Sequence, residues 1–146
     1  DNINDWNKLY GKRGFTQYQC VLPLDRSQEG LTEILTMISA SGRGSFLAVL
    51  KRFGKESLPG ISFSMEGYTL ALDFPMNRQT KDLMNQLDQI VEKYNGRLYL
   101  AKDSRMSAEL FKSTYKNWST FQPFKQQIDT ANLFSSVQSN RLEMND

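Results

Sequence analysis

Arg97-Leu98-Tyr99-Leu100-Ala101-Lys102-Asp103-Ser104-Arg105 is the stretch that decides how this chain folds. Leu98, Leu100 and Ala101 read as the buried side of a short strand, Arg97–Ala101, and Gly96 supplies the turn before it. The strand then runs into Lys102, Asp103, Ser104 and Arg105, three charges and a hydroxyl in four positions. Such a strand end has two readings. A lysine beside an acid and an arginine suits a ligand site, because a compact ammonium responds readily to desolvation. The same residues also suit a helix start, with Asp103 or Ser104 capping a helix over Met106–Lys116 and the charges in water. The two readings are compatible.

Upstream, Thr16–Leu22 alternates, with Tyr18, Cys20 and Leu22 on one face and Gln17, Gln19 and Val21 on the other, and Pro23 and Asp25 end it. A helix opened by Asp25 or Ser27 carries Leu31, Ile34, Leu35 and Ile38 at helical spacing and closes at Gly42 and Gly44. Ser45–Phe53 reads as a second strand, with Phe46, Ala48 and Leu50 opposite Leu47, Val49 and Lys51. Ile61–Phe74 reads as a third, long or broken at Glu66-Gly67 and stopped by Pro75. Leu83, Leu87, Ile90, Val91 and Tyr94 mark a second helix ending at Asn95-Gly96. With Arg97–Ala101 the order is strand, helix, strand, strand, helix, strand. That order predicts an α+β domain with a split βαβ, ferredoxin-like core: an antiparallel sheet with helices on one face. Beyond Arg105, Met106–Trp118 and Phe121–Ile128 read as further helices, and Leu133-Phe134 begins a tail. Phe111, Tyr115, Trp118, Phe121, Phe124 and Phe134 there need an apolar surface to bury against.

Composition narrows the chemistry. The 146 residues suffice for one domain with a real core, and 39% hydrophobic with 23% charged residues is ordinary for a globular protein. A net charge of +2 without a basic stripe gives no footprint for nucleic acid. No apolar run approaches the ~20 residues that span a bilayer. The single cysteine, Cys20, excludes an internal disulfide and a cysteine-rich metal site. The chain has no histidine, which removes the commonest metal ligand and the commonest general base at neutral pH. Ser-His-Asp and Cys-His schemes are therefore excluded, and acid–base work falls to Lys, Tyr, Asp or Glu. The opening Asp1-Asn2-Ile3-Asn4-Asp5 reads as the start of a trimmed piece, so a fragment of a longer protein is expected.

A sheet covered by helices on one side has a second face. Gln17, Gln19, Lys51, Thr69 and the Lys102 end converge there, because strand residues two apart share a side. Two glutamines and two lysines suit a polyhydroxylated or anionic ligand; a face simply exposed to water is the competing reading. Gly42-Arg43-Gly44 is too short to be a dinucleotide-binding loop.

Four blocks carry a resemblance: Gln17-Tyr18-Gln19-Cys20-Val21-Leu22-Pro23, Ser45-Phe46-Leu47-Ala48-Val49-Leu50-Lys51-Arg52-Phe53-Gly54, Gly67-Tyr68-Thr69-Leu70-Ala71-Leu72-Asp73-Phe74-Pro75 and Gly96 to Arg105. In order and spacing they resemble the C-terminal half of FAD-linked oxidoreductases of the vanillyl-alcohol-oxidase type, over roughly Trp6 to Leu142. The resemblance implies that an N-terminal FAD-binding domain of the same protein holds the cofactor and that the half seen here is a cap over the isoalloxazine. Residues 1–15 would then be a linker, 16–104 the cap or substrate domain, and 105–146 a helical segment packing on the FAD domain. It further implies Lys102 as the catalytic residue beside flavin and substrate hydroxyl, Tyr99 with Lys102 at the cofactor, and Gln17, Gln19, Lys51, Phe53 and Thr69 lining a sugar pocket. The implied reaction is oxidation of a secondary hydroxyl of a sugar or polyprenyl-phosphate sugar, with a short-chain reductase as a partner. The implied location is cytoplasmic, with peripheral membrane association for a lipid-linked substrate. FAD is not expected to stay with this chain alone. The tail departs from the family's Ser-Asp followed by Arg-Arg-Leu, reading Ser136-Val137-Gln138-Ser139-Asn140-Arg141-Leu142, and Asp129-Thr130 stands for Asp-Pro. The alternative is a free-standing α+β module that binds a small ligand or a protein without catalysis.

Overall fold

Strand β1 (Phe15–Pro23) lies inside the sheet because its alternation buries Tyr18, Cys20 and Leu22 on one side while Gln17 and Gln19 stay half-buried on the other. In this computed structural model, which describes residues 5, 8, 11, 12, 14–56 and 60–145, four strands pair in the order β2-β3-β1-β4. Strand β2 is Ala48–Phe53, β3 is Gly67–Pro75 and β4 is Arg97–Leu98; every pairing is antiparallel. Insertion of β3 between β1 and β2 is the split βαβ arrangement expected from the element order.

Helix α1 (Ser27–Ala40) and helix α2 (Arg78–Lys93) cover one face. α2 begins where the Asn77 side chain accepts the Thr80 N–H at 2.8 Å. It ends in a Schellman turn: Asn95 takes a left-handed φ of 56°, and the Asn95 and Gly96 N–H groups donate to Glu92 O and Val91 O at 2.9 and 2.8 Å. Gly96 admits no side chain, since a Cβ there would stand 2.5 Å from Val21 O. Between helices and sheet lie Ile34, Ile38, Leu70, Leu72, Phe74, Leu83, Leu87, Ile90 and Val91, all buried. Each such side chain contributes about 1.5–3 kcal/mol relative to exposure.

The differences from expectation have local causes. Leu35, placed on the α1 stripe by spacing, is 50% exposed, because the helix turns that position past the sheet. The second strand starts at Ala48 rather than Ser45. The Ser45 hydroxyl donates to Leu47 O and Asp73 O at 2.5 and 3.0 Å, so the side chain takes the place of ladder bonds. The third strand starts at Gly67 and not at Ile61, and the fourth stops at Leu98 and not at Ala101.

After the sheet come α3 (Ala108–Thr114), α4 (Trp118–Ile128) and α5 (Val137–Arg141). The expected Met106–Trp118 helix is thus shorter: Ser107 caps α3 through Leu110 N–H at 3.2 Å, and Trp118 opens the next helix after a break at Tyr115. Phe111, Tyr115, Trp118, Met106 and Leu142 bury against the main core, and the Tyr115 hydroxyl donates to Leu98 O at 2.5 Å. Phe124 and Phe134 are exposed, as are Ile128, Leu133 and Val137.

Candidate functional site

β4 is short because the chain turns immediately after it. Tyr99 N–H still donates to Gln19 O at 2.9 Å, but Lys102 N–H then returns to Tyr99 O at 2.9 Å and Asp103 N–H to Leu100 O at 3.2 Å. These bonds wind Leu100–Lys102 into a 3₁₀ turn. Lys102 therefore sits on a turn rather than at a strand end, with its side chain exposed and with no hydrogen bond or ion pair among the described residues. Gln17, Gln19, Leu98, Tyr99, Lys102 and Asp103 line one small cleft at this edge of β1. Its cavity volume is about 10 Å³, room for one water.

The charges that follow Lys102 are engaged elsewhere. Asp103 Oδ1 accepts the Arg105 and Met106 N–H groups at 3.0 and 2.8 Å, and its Oδ2 accepts Arg141 Nη2 at 2.8 Å. Asp103 thus closes a turn, and the capping role belongs to Ser107. Arg105 makes a two-pronged pair with Asp88, at 2.5 and 2.7 Å, and donates to Asn85 Oδ1 at 2.8 Å and Met84 O at 3.2 Å. Burial lifts the Asp88 carboxyl above its ordinary range, with Arg105 pulling the other way. Of the cleft's charged lining, Lys102 alone lacks a counter-charge among the described residues.

On the same side of the sheet, register aligns Lys51, Thr69 and Val21 across β2, β3 and β1, and Gln19 with Ala71. Thr69 is 1% exposed; its hydroxyl accepts Gln19 Nε2 at 3.1 Å and donates to Cys20 O at 2.8 Å. Gln17 Nε2 donates to Asp73 Oδ1 at 2.8 Å. This face was expected to be open, and the structure corrects that. Residues 61–66, part of the expected third strand, cross it instead. Arg97 Nη1 donates to Ser62 O at 2.5 Å, and Phe63 stacks on Tyr99 with centroids 4.4 Å apart and meets Phe53 edge-on at 5.9 Å.

The candidate residues are only partly brought together, and Lys51, Phe53 and Thr69 lie outside the cleft lining. Gln17, Gln19, Tyr99 and Lys102 share the cleft, Thr69 is tied to Gln19, Phe53 reaches Tyr99 through Phe63, and Lys51 lies beside Thr69 on the exposed edge strand. Sequence reasoning missed Phe63, Arg97 and the Asp103–Arg141 and Asp88–Arg105 pairs. The alternation of Ile61, Phe63 and Met65 is the local signal for Phe63, and it fits a strand equally well. The ion pairs join residues 17 and 38 positions apart and leave no local pattern.

The donor set fits one edge of a planar, hydrogen-bonding ring such as the isoalloxazine of FAD. Lys102 offers an uncommitted ammonium and Tyr99 an aromatic side chain held by Phe63. A cleft of about 10 Å³ does not hold the dinucleotide, so that part of the group would be held outside these residues.

By fold and sequence this is an α+β domain of the FAD-linked oxidase type. The chain belongs to the D-arabinono-1,4-lactone oxidase family, whose model matches residues 9–142. It is 35% identical to decaprenylphosphoryl-β-D-ribose oxidase of Mycolicibacterium smegmatis over 99% of this chain and 31% of that protein. It is also 28% identical to an uncharacterized protein in the mprA 5′ region of Streptomyces coelicolor, over 88% of this chain and 35% of that protein. The chain thus spans about a third of the length of these relatives. No helix among the described residues is long and apolar enough to cross a membrane.

Proposed function

We propose that this chain is the substrate-binding cap of an FAD-dependent oxidoreductase that oxidises a secondary hydroxyl of a sugar or a polyprenyl-phosphate sugar. The observation that carries the reading is the cleft where an uncompensated Lys102 meets Tyr99 and the amides of Gln17 and Gln19. Family membership and the 35% identity to an oxidase of a lipid-linked ribose support the redox chemistry and the class of substrate. The third of that relative's length spanned here supports a division of labour in which a separate N-terminal domain holds most of the cofactor.

Bound FAD would supply the two-electron acceptor for the hydride that leaves the hydroxyl-bearing carbon. The chain's own residues do the rest. Lys102 Nζ, as an ammonium, donates a hydrogen bond to the reacting oxygen and stabilises its alkoxide character as the hydroxyl proton leaves to water. Tyr99, backed by Phe63, presents a rigid ring edge to the cofactor. Gln19, fixed by Thr69, and Gln17, fixed by Asp73, orient sugar hydroxyls, and Lys51 at the rim attracts a phosphoryl group. Phe53 with residues 61–66 keeps water from the covered part of the face. A short-chain reductase acting on the ketone product completes the proposal.

The test is anaerobic mixing of the FAD-loaded full-length protein with secondary-alcohol sugars, free and phosphate-linked. Bleaching of the flavin by phosphate-linked sugars is expected. Retained flavin that no sugar bleaches would contradict the reading.

A further inference from the structure

We infer that Arg141 is a positioning residue for Lys102, acting through Asp103; the inference rests on the proposed role of Lys102. Helix α5 is built to deliver it. Ser136 caps the helix reciprocally with Ser139, at 3.0 Å to its N–H and 2.7 Å in return, and Leu142 just beyond the helix is wholly buried. This anchoring aims Gln138 and Arg141, one turn apart, at the segment that carries Lys102. Gln138 Nε2 donates to Leu100 O at 2.7 Å and Asp103 O at 3.3 Å, the two carbonyls that flank Ala101-Lys102. Arg141 Nη2 donates to Asp103 Oδ2 at 2.8 Å, and its Nη1 donates to Met106 O.

Asp103 lines the same cleft as Lys102, and its carboxylate is 4% exposed. A carboxylate so placed offsets the Lys102 ammonium unless it has its own counter-charge. Arg141 is that counter-charge. It keeps Asp103 turned onto the Arg105 and Met106 N–H groups, so the cleft presents Lys102 uncompensated to a ligand oxygen. The C-terminal helix, thirty-eight positions from Asp103, thereby sets the charge of the cleft without touching the ligand.

The experiment compares Lys102→Ala, Arg141→Ala, Arg141→Lys and the double variant Arg141→Ala/Asp103→Asn. Flavin reduction is followed in the FAD-loaded full-length protein and amide exchange in the present chain. Arg141→Ala is expected to slow flavin reduction about 10- to 100-fold with KM little changed. It should also speed exchange of the Arg105 and Met106 amides at least about tenfold, as the loss of a charge-assisted hydrogen bond allows. Arg141→Lys should recover part of the rate. The double variant should recover most of it, because removing the freed carboxylate removes what offsets Lys102; a merely structural Arg141 would not be rescued this way. Unchanged amide exchange in Arg141→Ala, or a double variant no faster than the single one, overturns the inference. Lys102→Ala with wild-type flavin reduction overturns the proposed function instead, while the exchange measurement still decides whether Arg141 holds Asp103.

Discussion

Gln19 and Thr69, fifty residues apart, are joined across β1 and β3 by a bond of 3.1 Å from the Gln19 amide to the Thr69 hydroxyl, which itself donates to Cys20 O at 2.8 Å. The hydroxyl is buried, so both its donor and its acceptor roles are used inside the sheet. One end of the Gln19 carboxamide is thereby fixed, and the orientation of the other toward the cleft follows from strand register rather than from a loop.

Thr69→Val keeps the shape and removes both bonds. Urea denaturation should show a loss of about 1–3 kcal/mol, the cost of an unsatisfied buried polar group. A loss below about 0.5 kcal/mol would mean that the Gln19 amide finds an equal partner.

Arg105→Ala leaves Asp88 buried without its partner. The Asp88 and Arg105 side chains are only 9% and 17% exposed, so a loss of about 3–5 kcal/mol is expected in chemical denaturation. The double change Asp88→Leu/Arg105→Met should cost much less than the two single changes added together. Additive losses would show that the pair is not coupled.

Much of the frame was legible because it is written in periodicity. Tyr18-Cys20-Leu22 and Leu83-Leu87-Ile90-Val91 name their buried faces directly, and Asn95-Gly96 names the helix end. The end of β4 was not legible. Over Leu98 to Lys102 a two-residue alternation and a three-residue turn fit the same letters, and only the bonds Lys102 to Tyr99 and Asp103 to Leu100 separate them. Of the site, Gln17, Gln19 and Thr69 could be placed on one face from strand parity alone. That Asp103 answers to Arg141, and Arg105 to Asp88, depends on how helices α5 and α2 dock. The cover formed by Phe63 likewise depends on a loop path that no period encodes.

Asp129 gives a pH signature. Burial pushes its carboxyl up, but the Leu133 and Phe134 N–H groups, at 2.8 and 3.1 Å, and Lys125 outweigh it and hold it below its ordinary value. A depressed folded-state pKa stabilises above the unfolded value, about 3.9, and that stability is lost as pH falls through the folded value. The Leu133 and Phe134 amide shifts should therefore titrate together with a midpoint below about 3.9. A midpoint at or above that value would mean that these bonds do not form in solution.

Cys20 should be inert in the folded chain. It is wholly buried, and burial pushes its thiol up to about 12. Alkylation at neutral pH should proceed only under denaturant, as mass spectrometry can show. Rapid labelling of the native chain would mean that β1 opens locally.

The central claim is that Lys102 acts on the reacting oxygen, and the rate of substrate-driven flavin reduction in Lys102→Ala tests it most directly, with Lys51→Ala alongside. In the FAD-loaded full-length protein, Lys102→Ala should lower that rate about 100- to 1000-fold, the usual effect of losing a preorganised donor, with the circular dichroism unchanged. Lys51→Ala should raise KM and leave the rate near wild type, because a rim ammonium binds the ground and transition states alike. A folded Lys102→Ala protein that reduces its flavin at the wild-type rate would contradict the account and leave Lys102 a solvated charge on a surface turn.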